Sequence, residues 1–149
     1  MEETKSVRVA QIADAEQIAA CLSSLGYGTS SALVRGRLND MAESQSDKVF
    51  VCEFGGLVIG VVSLHAMPLF HTTGQLVRIT SLSVLDGWFR KGVGAKLVEA
   101  AERWAWSTGA IRVELTSGDH RDGAHKFYEA MGYLLAERRF IKPNIFEEK

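Results

Sequence analysis

The sequence has no apolar run long enough to cross a membrane. Its longest run, residues 57–64, is interrupted by Gly60 and Ser63 and has the length of a buried strand, whereas a spanning helix needs about 20 residues. Residues 1–8 are polar and charged, with no apolar stretch behind a basic start, so no secretory signal is predicted. We therefore expect a cytoplasmic protein that does not enter a membrane.

Cysteine and metal-binding patterns are also scarce. The two cysteines, Cys21 and Cys52, fall in different predicted elements, so two reduced and packed thiols are expected instead of a disulfide. They form no CxxC pair, and the four histidines have no HExxH spacing. The sequence therefore predicts no catalytic metal.

An excess of positive charge is missing as well. Seventeen Lys and Arg stand against eighteen Asp and Glu, for a formal charge of -1, which lacks the strong positive field that draws in phosphate backbones. Nucleic acid is therefore disfavoured as the main partner. What the chain does have is 46% hydrophobic residues in a length of 149, which predicts a single domain over residues 1–149.

The first part of the chain predicts a strand and two helices. Alternation of apolar and polar residues over 7–9 indicates the strand. Asp14 and Gln17 fit the first and fourth positions of a capping box at the start of a helix, and Gly26 fits the residue that ends it. Side-chain oxygens in residues 29–31 predict the cap of a second helix.

The middle of the chain predicts a hairpin and then a strand, helix, strand unit. Gly55 and Gly56 lie between two apolar runs and tolerate the positive φ of a hairpin turn. The next predicted elements are a strand over 76–84, a helix from Gly92 to Gly109 and a strand over 111–115. A helical connection of this kind predicts a parallel pair of strands.

The last part predicts a short helix from Asp122 that Gly132 closes. Residues 133–136 and 139–142 are predicted to pair as final strands. The predicted class is α/β, or α+β, with a mixed sheet.

The strongest chemical signal is a glycine-containing junction between a strand and a helix. It reads Arg90-Lys91-Gly92-Val93-Gly94-Ala95. Glycines let the backbone approach a ligand while free N–H groups point along the positive end of the helix, as in a pyrophosphate cradle. A tight turn without a ligand is the alternative interpretation. A dinucleotide fingerprint would need a third glycine at Leu97, and the lysine and hydroxyl of a P-loop are missing.

Two separated motifs resemble the GNAT N-acetyltransferase superfamily. Its acetyl-CoA signature, Q/RxxGxG/A, is similar to residues 89–94, and Leu82-Ser83-Val84 resembles the strand that contacts the cofactor. Downstream, the family ending AxxFYExxGF is matched by Ala124, Phe127, Tyr128, Glu129 and Gly132, with Tyr133 in place of Phe.

The resemblance implies a three-layer fold. A mixed central sheet of about seven strands would carry helices on both faces and a splay between the fourth and fifth strands, where acetyl-CoA would lie. The implied cofactor-binding residues are Leu82, Ser83, Val84, Arg90, Lys91, Gly92, Val93, Gly94, Ala95, Arg121 and Tyr128. Two catalytic roles are implied: a backbone N–H near Leu82 stabilises the oxyanion, and the Tyr128 phenol protonates the departing sulfur.

Three departures from the family pattern bear on this assignment. Phe89 occupies the Q/R position, so Arg90 or Lys91 would supply the cationic partner of the diphosphate. Arg121 stands where many relatives have Asn. The carboxylate that many relatives carry on the fourth strand is absent, because the nearby residues are Thr80 and Ser81.

The general base is therefore left open by the sequence. The candidates acting through water are His65, His71, His120 and Glu114. A surface or structural role is the alternative for each histidine, and an amine that arrives already deprotonated is the alternative to a base.

The function implied by the resemblance is an N-acetyltransferase that moves an acetyl group from acetyl-CoA directly to a primary amine of a small molecule or peptide. The acceptor is expected near residues 26–31 and the second helix, and near the loop 68–74. A homodimer is also expected. The alternative is an acyl-CoA-binding sensor or interaction domain of the same fold without activity.

Overall fold

A mixed β-sheet with strand order β1-β2-β3-β4-β5 forms the centre of the fold. The computed structural model describes residues 4–24, 26, 28–116, 122–136 and 139–144. The chain divides into two units, Met1–Thr116 and Ser117–Lys149. The first unit contains β1 (Ser6–Val9), a 3-10 turn (Ile12–Asp14), α1 (Ala15–Ser23), α2 (Ser31–Met41), β2 (Asp47–Phe54), β3 (Leu57–Pro68), β4 (Gln75–Val84), α3 (Val93–Ser107) and β5 (Ala110–Glu114).

Strand pairing follows the predicted units. The β2–β3 hairpin turns at Gly55 and Gly56, with φ of 59° and 81°, and closes on the pair Phe54 and Leu57. Strands β1 to β4 pair antiparallel. Strand β5 pairs parallel to β4, with α3 as the connection between them. The predicted hairpin and the predicted parallel pair are both confirmed.

The core has two parts, one on each face of the sheet. Neighbouring strand residues such as Val61 and Val62 belong to different clusters, because successive side chains of a strand point to opposite faces. Val62 packs with Leu97 of α3, and Val61 packs with Ile18 of α1 and the buried residues of α2. Helices therefore cover both faces, as the predicted three-layer fold requires.

The cap of α1 differs from the prediction. Asp14 has helical φ and ψ of -83° and -4°, because a 3-10 turn comes before α1, whereas a capping residue has extended backbone. Its carboxylate accepts hydrogen bonds from Arg8, and the Gln17 side chain accepts one from the Val58 N–H at 2.6 Å. The predicted Asp14–Gln17 capping box is wrong.

The cap of α2 agrees with the prediction. Ser30 has extended backbone, and its hydroxyl accepts a hydrogen bond from the Leu33 N–H at 3.1 Å. Gly26, with a φ of 90°, follows α1 as predicted.

The second unit contains α4 (Asp122–Ala130), and Gly132, with a φ of 95°, follows its end. The predicted strands over 133–136 and 139–142 are wrong, since the described residues of this segment are not strand. Leu134, Leu135 and Phe140 are exposed, and an alternating pattern stabilises a strand only when one face is buried. The described sheet thus has five strands, not about seven.

None of the helices in the described ranges has both the length and the apolar character that crossing a bilayer requires. Both cysteines are free and fully buried, as predicted. Cys21 lies in the α1–α2 side of the core and Cys52 in the α3 side, so the sheet separates them.

Candidate functional site

The pairing of β4 with β5 stops before β4 ends. Its last rung joins Arg78 to Glu114, while β4 continues to Val84. Residues 79–84 of β4 therefore present one edge that β5 does not pair, and we call this opening the splay. It confirms the predicted splay between the fourth and fifth strands.

A β-bulge and two N–H groups that face the splay distinguish this part of β4. Leu64 pairs with Ile79 and Ser63 with Ser81, which leaves Thr80 as the extra residue. The N–H of Leu85 donates to Ile59 of β3 at 2.8 Å. Because strand N–H groups alternate in direction, those of Leu82 and Val84 point away from β3 and into the splay.

Ser83 lies between these two residues and differs from them. It is 1% exposed, and its hydroxyl has no hydrogen-bond partner among the described residues. Its side chain is therefore enclosed by protein, and its backbone, like that of Leu85, faces β3. The backbone groups that face the splay are those of Leu82 and Val84.

The N-terminus of α3 follows the carboxyl end of β4. Gly92 has a φ of 83° and open space where a Cβ would be. The N–H of Lys96 is the first to bond back, to the Gly92 carbonyl at 3.1 Å. The N–H groups of Val93, Gly94 and Ala95 have no acceptor among the described residues. This arrangement fits an anion such as the diphosphate of coenzyme A.

Contact with the sheet fixes the position of this helix end. A Cβ on Gly60 of β3 would lie 2.7 Å from Val93 and 2.9 Å from Leu97. Only glycine therefore lets α3 approach β3 this closely. The buried side chains of Val93 and Leu97 then hold the first turn of α3 beside the splay.

The loop before α3 supplies two cations. Arg90 is exposed and has a φ of 60°, a conformation that residues other than glycine seldom adopt. The Lys91 ammonium lies 5.3 Å from the ring centre of Trp88, whose ring is 5.2 Å from that of Phe54. Lys91 is thus directed by a cation–π contact.

Tyr128 belongs to the second unit. Its ring lies 5.2 Å from that of Phe127 and 6.0 Å from that of Tyr133. Its carbonyl accepts a hydrogen bond from the Tyr133 N–H at 2.9 Å. The predicted cofactor contact Arg121 and the candidate base His120 lie outside the described residues.

The two predicted acceptor loops lie at opposite ends of β4. The Ser24 hydroxyl at the end of α1 accepts a hydrogen bond from the Asp86 N–H, just beyond the carboxyl end of β4. The loop 68–74 instead precedes Gln75, where β4 begins. A ten-residue strand spans roughly 33 Å, so the structure does not bring these loops together.

Sequence reasoning missed a row of polar side chains across the sheet. Asp47, His65, Arg78 and Glu114 are successive cross-strand partners on β2, β3, β4 and β5. We call them the polar row. Arg78 and Glu114 lie in predicted strands, whereas Asp47 and His65 lie just outside the predicted ones, which are longer in the structure. Only the strand register shows that the four residues are neighbours.

Hydrogen bonds link the polar row in two groups. His65 Nδ1 lies 2.8 Å from Asp47 Oδ1, and the Ser44 hydroxyl lies 2.8 Å from Asp47 Oδ2. Partial burial alone would raise the pKa of Asp47, but the hydrogen bonds from Ser44 and His65 bring it below its usual value. The second group joins Glu114 to two guanidinium groups, those of Arg78 and Arg112, at 2.9 Å and 2.6 Å.

Two of the candidate bases, His65 and Glu114, thus take part in these hydrogen bonds. His71 lies in the exposed loop between β3 and β4. In the described part of the chain, no three His, Cys, Asp or Glu side chains are grouped as ligands of a metal ion.

The fold and the open helix end beside a splayed sheet define a class of acetyltransferases. The sequence profile of the Acetyltransferase (GNAT) family matches residues 15–133. The chain belongs to this family.

Proteins that are similar in sequence include two N-acetyltransferases. An aminoalkylphosphonate N-acetyltransferase of Salmonella typhimurium is 34% identical over 87 residues, which cover 58% of this chain and 56% of that protein. An uncharacterized N-acetyltransferase of Chlorobaculum tepidum is 30% identical over 145 residues, covering 95% of this chain and 83% of that protein. The match thus spans little more than half of the Salmonella enzyme.

Solved structures share the fold. Aminoglycoside N-acetyltransferase AAC(6')-Iy in complex with CoA has a TM-score of 0.85 at 16% identity, over 97% of both chains. A transcriptional regulator from Bacillus halodurans has a TM-score of 0.87 at 18% identity, over 95% of this chain and 100% of that one. At these identities the likeness establishes the fold.

Proposed function

We propose that this protein is an acetyl-CoA-dependent N-acetyltransferase that transfers the acetyl group directly to a primary amine of a small molecule or peptide. One observation carries the proposal: the splay in β4 and the unpaired N–H groups of the first turn of α3 lie at the same end of the sheet. A donor with a diphosphate at one end and a thioester at the other needs both features. Membership of the GNAT family supports the same conclusion.

In this proposal the diphosphate is held by the N–H groups of Val93, Gly94 and Ala95. Gly92 lets the backbone approach the anion without a side chain in the way. Arg90 and Lys91 add positive charge, Arg121 is a further proposed contact, and the backbone of residues 82–84 pairs with the donor arm. Charge-assisted hydrogen bonds of this kind are stronger than neutral ones.

Two groups are proposed to act on the reacting atoms. As the amine lone pair attacks the thioester carbonyl, the Leu82 N–H stabilises the oxyanion, an interaction whose loss in other enzymes costs about 2.7–4 kcal/mol. When the C–S bond breaks, the Tyr128 hydroxyl donates its proton to the sulfur. Direct transfer is supported because both thiols are fully buried, so neither serves as an acyl carrier.

The acceptor class is proposed from the relatives. The Salmonella relative is named for aminoalkylphosphonates, and the solved structure with bound CoA is an aminoglycoside acetyltransferase. Both names describe small amines with further polar groups. A small polar amine is therefore the first acceptor to test, with peptides second. Cytoplasmic location and a homodimer remain predictions, and light scattering measures the second.

The function is tested by acetyl-CoA binding and by turnover with a panel of amines. We expect acetyl-CoA at 100 times its Kd to stabilise the fold by about 2.7 kcal/mol, measured as a rise in Tm. Acetyl-CoA-dependent thiol release is expected with at least one of 2-aminoethylphosphonate, an aminoglycoside, spermidine and a peptide with a free amino terminus. Binding without transfer to any of them would favour the inactive acyl-CoA-binding alternative. Absence of binding would contradict both functions.

Replacing the phenol tests the proposed acid. We expect Tyr128→Phe to lower kcat by about 10²-fold, because the sulfur then leaves without a proton from the enzyme. Acetyl-CoA affinity should fall much less. Tyr133→Phe removes a hydroxyl from the neighbouring ring and is the control, with kcat expected to stay near the wild-type value. An unchanged kcat in Tyr128→Phe would remove this residue from the mechanism.

A further inference from the structure

The polar row lies on the sheet face opposite α3. Leu64 and Ala66, the neighbours of His65 in β3, belong to the cluster that packs against α3, and so does Val77, the neighbour of Arg78. Because successive strand residues face opposite sides, His65 and Arg78 point to the other face. Asp47 and Glu114 are their cross-strand partners and share that face.

Helices α1 and α2 cover only one part of this face. Their cluster contains Val51, Val58 and Val61, which lie toward the β2–β3 turn. Asp47 lies at the border of the covered part, since it lines a cavity with Leu38, Met41 and Ala42 at the end of α2. The rest of the polar row crosses the other part, where the side chains of His65 and Arg112 are 42% and 48% exposed. A polar molecule in solution therefore has access to the row.

The polar row ends where the splay begins. Arg78 and Glu114 form the last rung between β4 and β5, and the Leu82 N–H points into the splay four residues further along. Four strand residues span roughly 13 Å, which is room for an acceptor amine and a bridging water. An amine that approaches an acetyl group at Leu82 from the uncovered part of this face passes over the polar row.

Within the polar row, His65 Nε2 is oriented so that it can accept a proton. The Asp47 carboxylate, which also accepts a hydrogen bond from Ser44, holds His65 Nδ1 as the N–H donor. Nε2 is then the ring nitrogen with the free lone pair. Glu114 is less suited as a base, because one of its oxygens bonds Arg78 and the other bonds Arg112.

We propose that His65, oriented by Asp47, is the general base of the acetyl transfer. The inference rests on the proposed function. An acceptor ammonium gives one proton through water to His65 Nε2, and the lone pair released on nitrogen forms the new C–N bond. The C–S bond breaks and the thiolate takes the Tyr128 proton. The second proton lost from the attacking nitrogen passes through water to restore the Tyr128 phenol, and the imidazolium returns its proton to solvent. No oxidant or further reactant is needed.

Charged groups face His65 from both neighbouring strands. Asp47 faces it from β2 and Arg78 from β4, with Glu114 beyond Arg78 on β5. Only a neutral imidazole accepts a proton, so a base of this kind predicts that kcat/KM rises with pH.

The experiment compares His65→Gln, Asp47→Asn and the control His125→Gln, using the panel amine that wild type acetylates fastest. We expect His65→Gln to lower kcat by about 10²-fold at pH 7, with the KM for acetyl-CoA unchanged. The loss should shrink as pH approaches the pKa of the amine, because free amine needs no base. Asp47→Asn should lower kcat less, with the same dependence on pH. His125→Gln should not lower kcat.

A folded His65→Gln variant with the wild-type pH profile would overturn the proposal. Failure of wild type to acetylate any amine would instead be a failure of the proposed function. The tautomer of His65, read by long-range ¹H–¹⁵N NMR at a pH where the ring is neutral, tests the geometry without turnover. We expect the Nδ1–H tautomer in wild type and its loss in the Asp47→Asn variant. An Nε2–H tautomer in wild type would refute the role of Nε2.

Discussion

At the scale of single residues, Arg8 joins three parts of the first unit. Its guanidinium makes a two-pronged contact with Asp14, at 2.8 and 2.9 Å, and a third bond to Glu53 at 3.2 Å. It thereby links β1, the turn before α1 and β2. The hydrogen bonds from Arg8 lower the pKa of Asp14, with a smaller contribution from the Gln11 N–H, although burial acts in the opposite direction.

We expect Asp14→Asn to lower the free energy of unfolding by about 1–3 kcal/mol at pH 7. The mutation removes the charge that pairs with Arg8 at a site only 6% exposed. Because the pKa of Asp14 is lower in the folded state, its stabilisation is complete above the unfolded-state pKa. It is lost as pH falls through the folded-state pKa.

Urea unfolding of wild type and variant at pH 7 and pH 3 measures this effect. The difference between the two proteins should shrink at the lower pH. Asp40→Asn, at an exposed position of α2, is the control with no expected change. A difference that does not depend on pH would show that the ion pair is not its source.

Residue types in the sequence were enough to predict the open helix end but not the polar row. Gly92 carries its own local signal, because a glycine before an amphipathic helix indicates a left-handed residue and an open helix start. His65 has no such signal. Its significance comes from Asp47, 18 positions away, and that contact depends on the strand register, which composition and spacing do not determine.

At the scale of elements, the packing of α3 on β3 depends on a single missing side chain. We expect Gly60→Ala to lower stability by about 1–3 kcal/mol, because the new Cβ would meet Val93 and Leu97 at 2.7 and 2.9 Å. Acetyl-CoA affinity should fall as well, since the first turn of α3 must move. Denaturant melts and a binding titration measure the two effects.

Gly36→Ala is the matched control for this substitution. Gly36 lies in α2 with open space at its Cβ position, so alanine should raise stability by about 0.4–1 kcal/mol. Acetyl-CoA affinity should not change. A Gly60→Ala variant with unchanged stability would contradict the tight packing of α3 against the sheet.

The two ends of α3 provide a second matched pair. Gly92 and Gly109 both have positive φ, 83° and 84°, and open space around them. Valine at either position should cost about 1–2 kcal/mol of backbone strain. Only Gly92→Val should weaken acetyl-CoA binding, because only that end carries the unpaired N–H groups. Equal affinities in the two variants, measured by calorimetry, would argue against the anion site.

Elements with strong local signals were predicted correctly, and those that depend on context were not. The glycine turn of the hairpin and the apolar periodicity of α3 are short-range features. The segment 133–142 has strand-like alternation, yet whether a strand forms depends on a partner that alternation does not identify. Asp14 fits a capping box by composition, but the contact with Arg8 and the preceding 3-10 turn determine its actual role.

At the scale of the whole molecule, each face of the sheet encloses one thiol. Burial raises the pKa of Cys21 to about 11 and raises the pKa of Cys52 as well. Thiolate is the reactive form. We therefore expect both thiols to react slowly with an aromatic disulfide in the native protein at pH 8, and two equivalents to react at once in denaturant. A thiol that reacts fast in the native protein would contradict the burial of both cysteines in the core.

The enclosure of these sulfurs has a practical consequence for measuring catalysis. A colorimetric measurement of released coenzyme A has a low background, because the buried thiols of the folded polypeptide react only slowly with the reagent. A preparation that has begun to unfold would be detected in the same assay, because its exposed thiols form colour without any acceptor. Turnover and integrity of each variant are thereby recorded together.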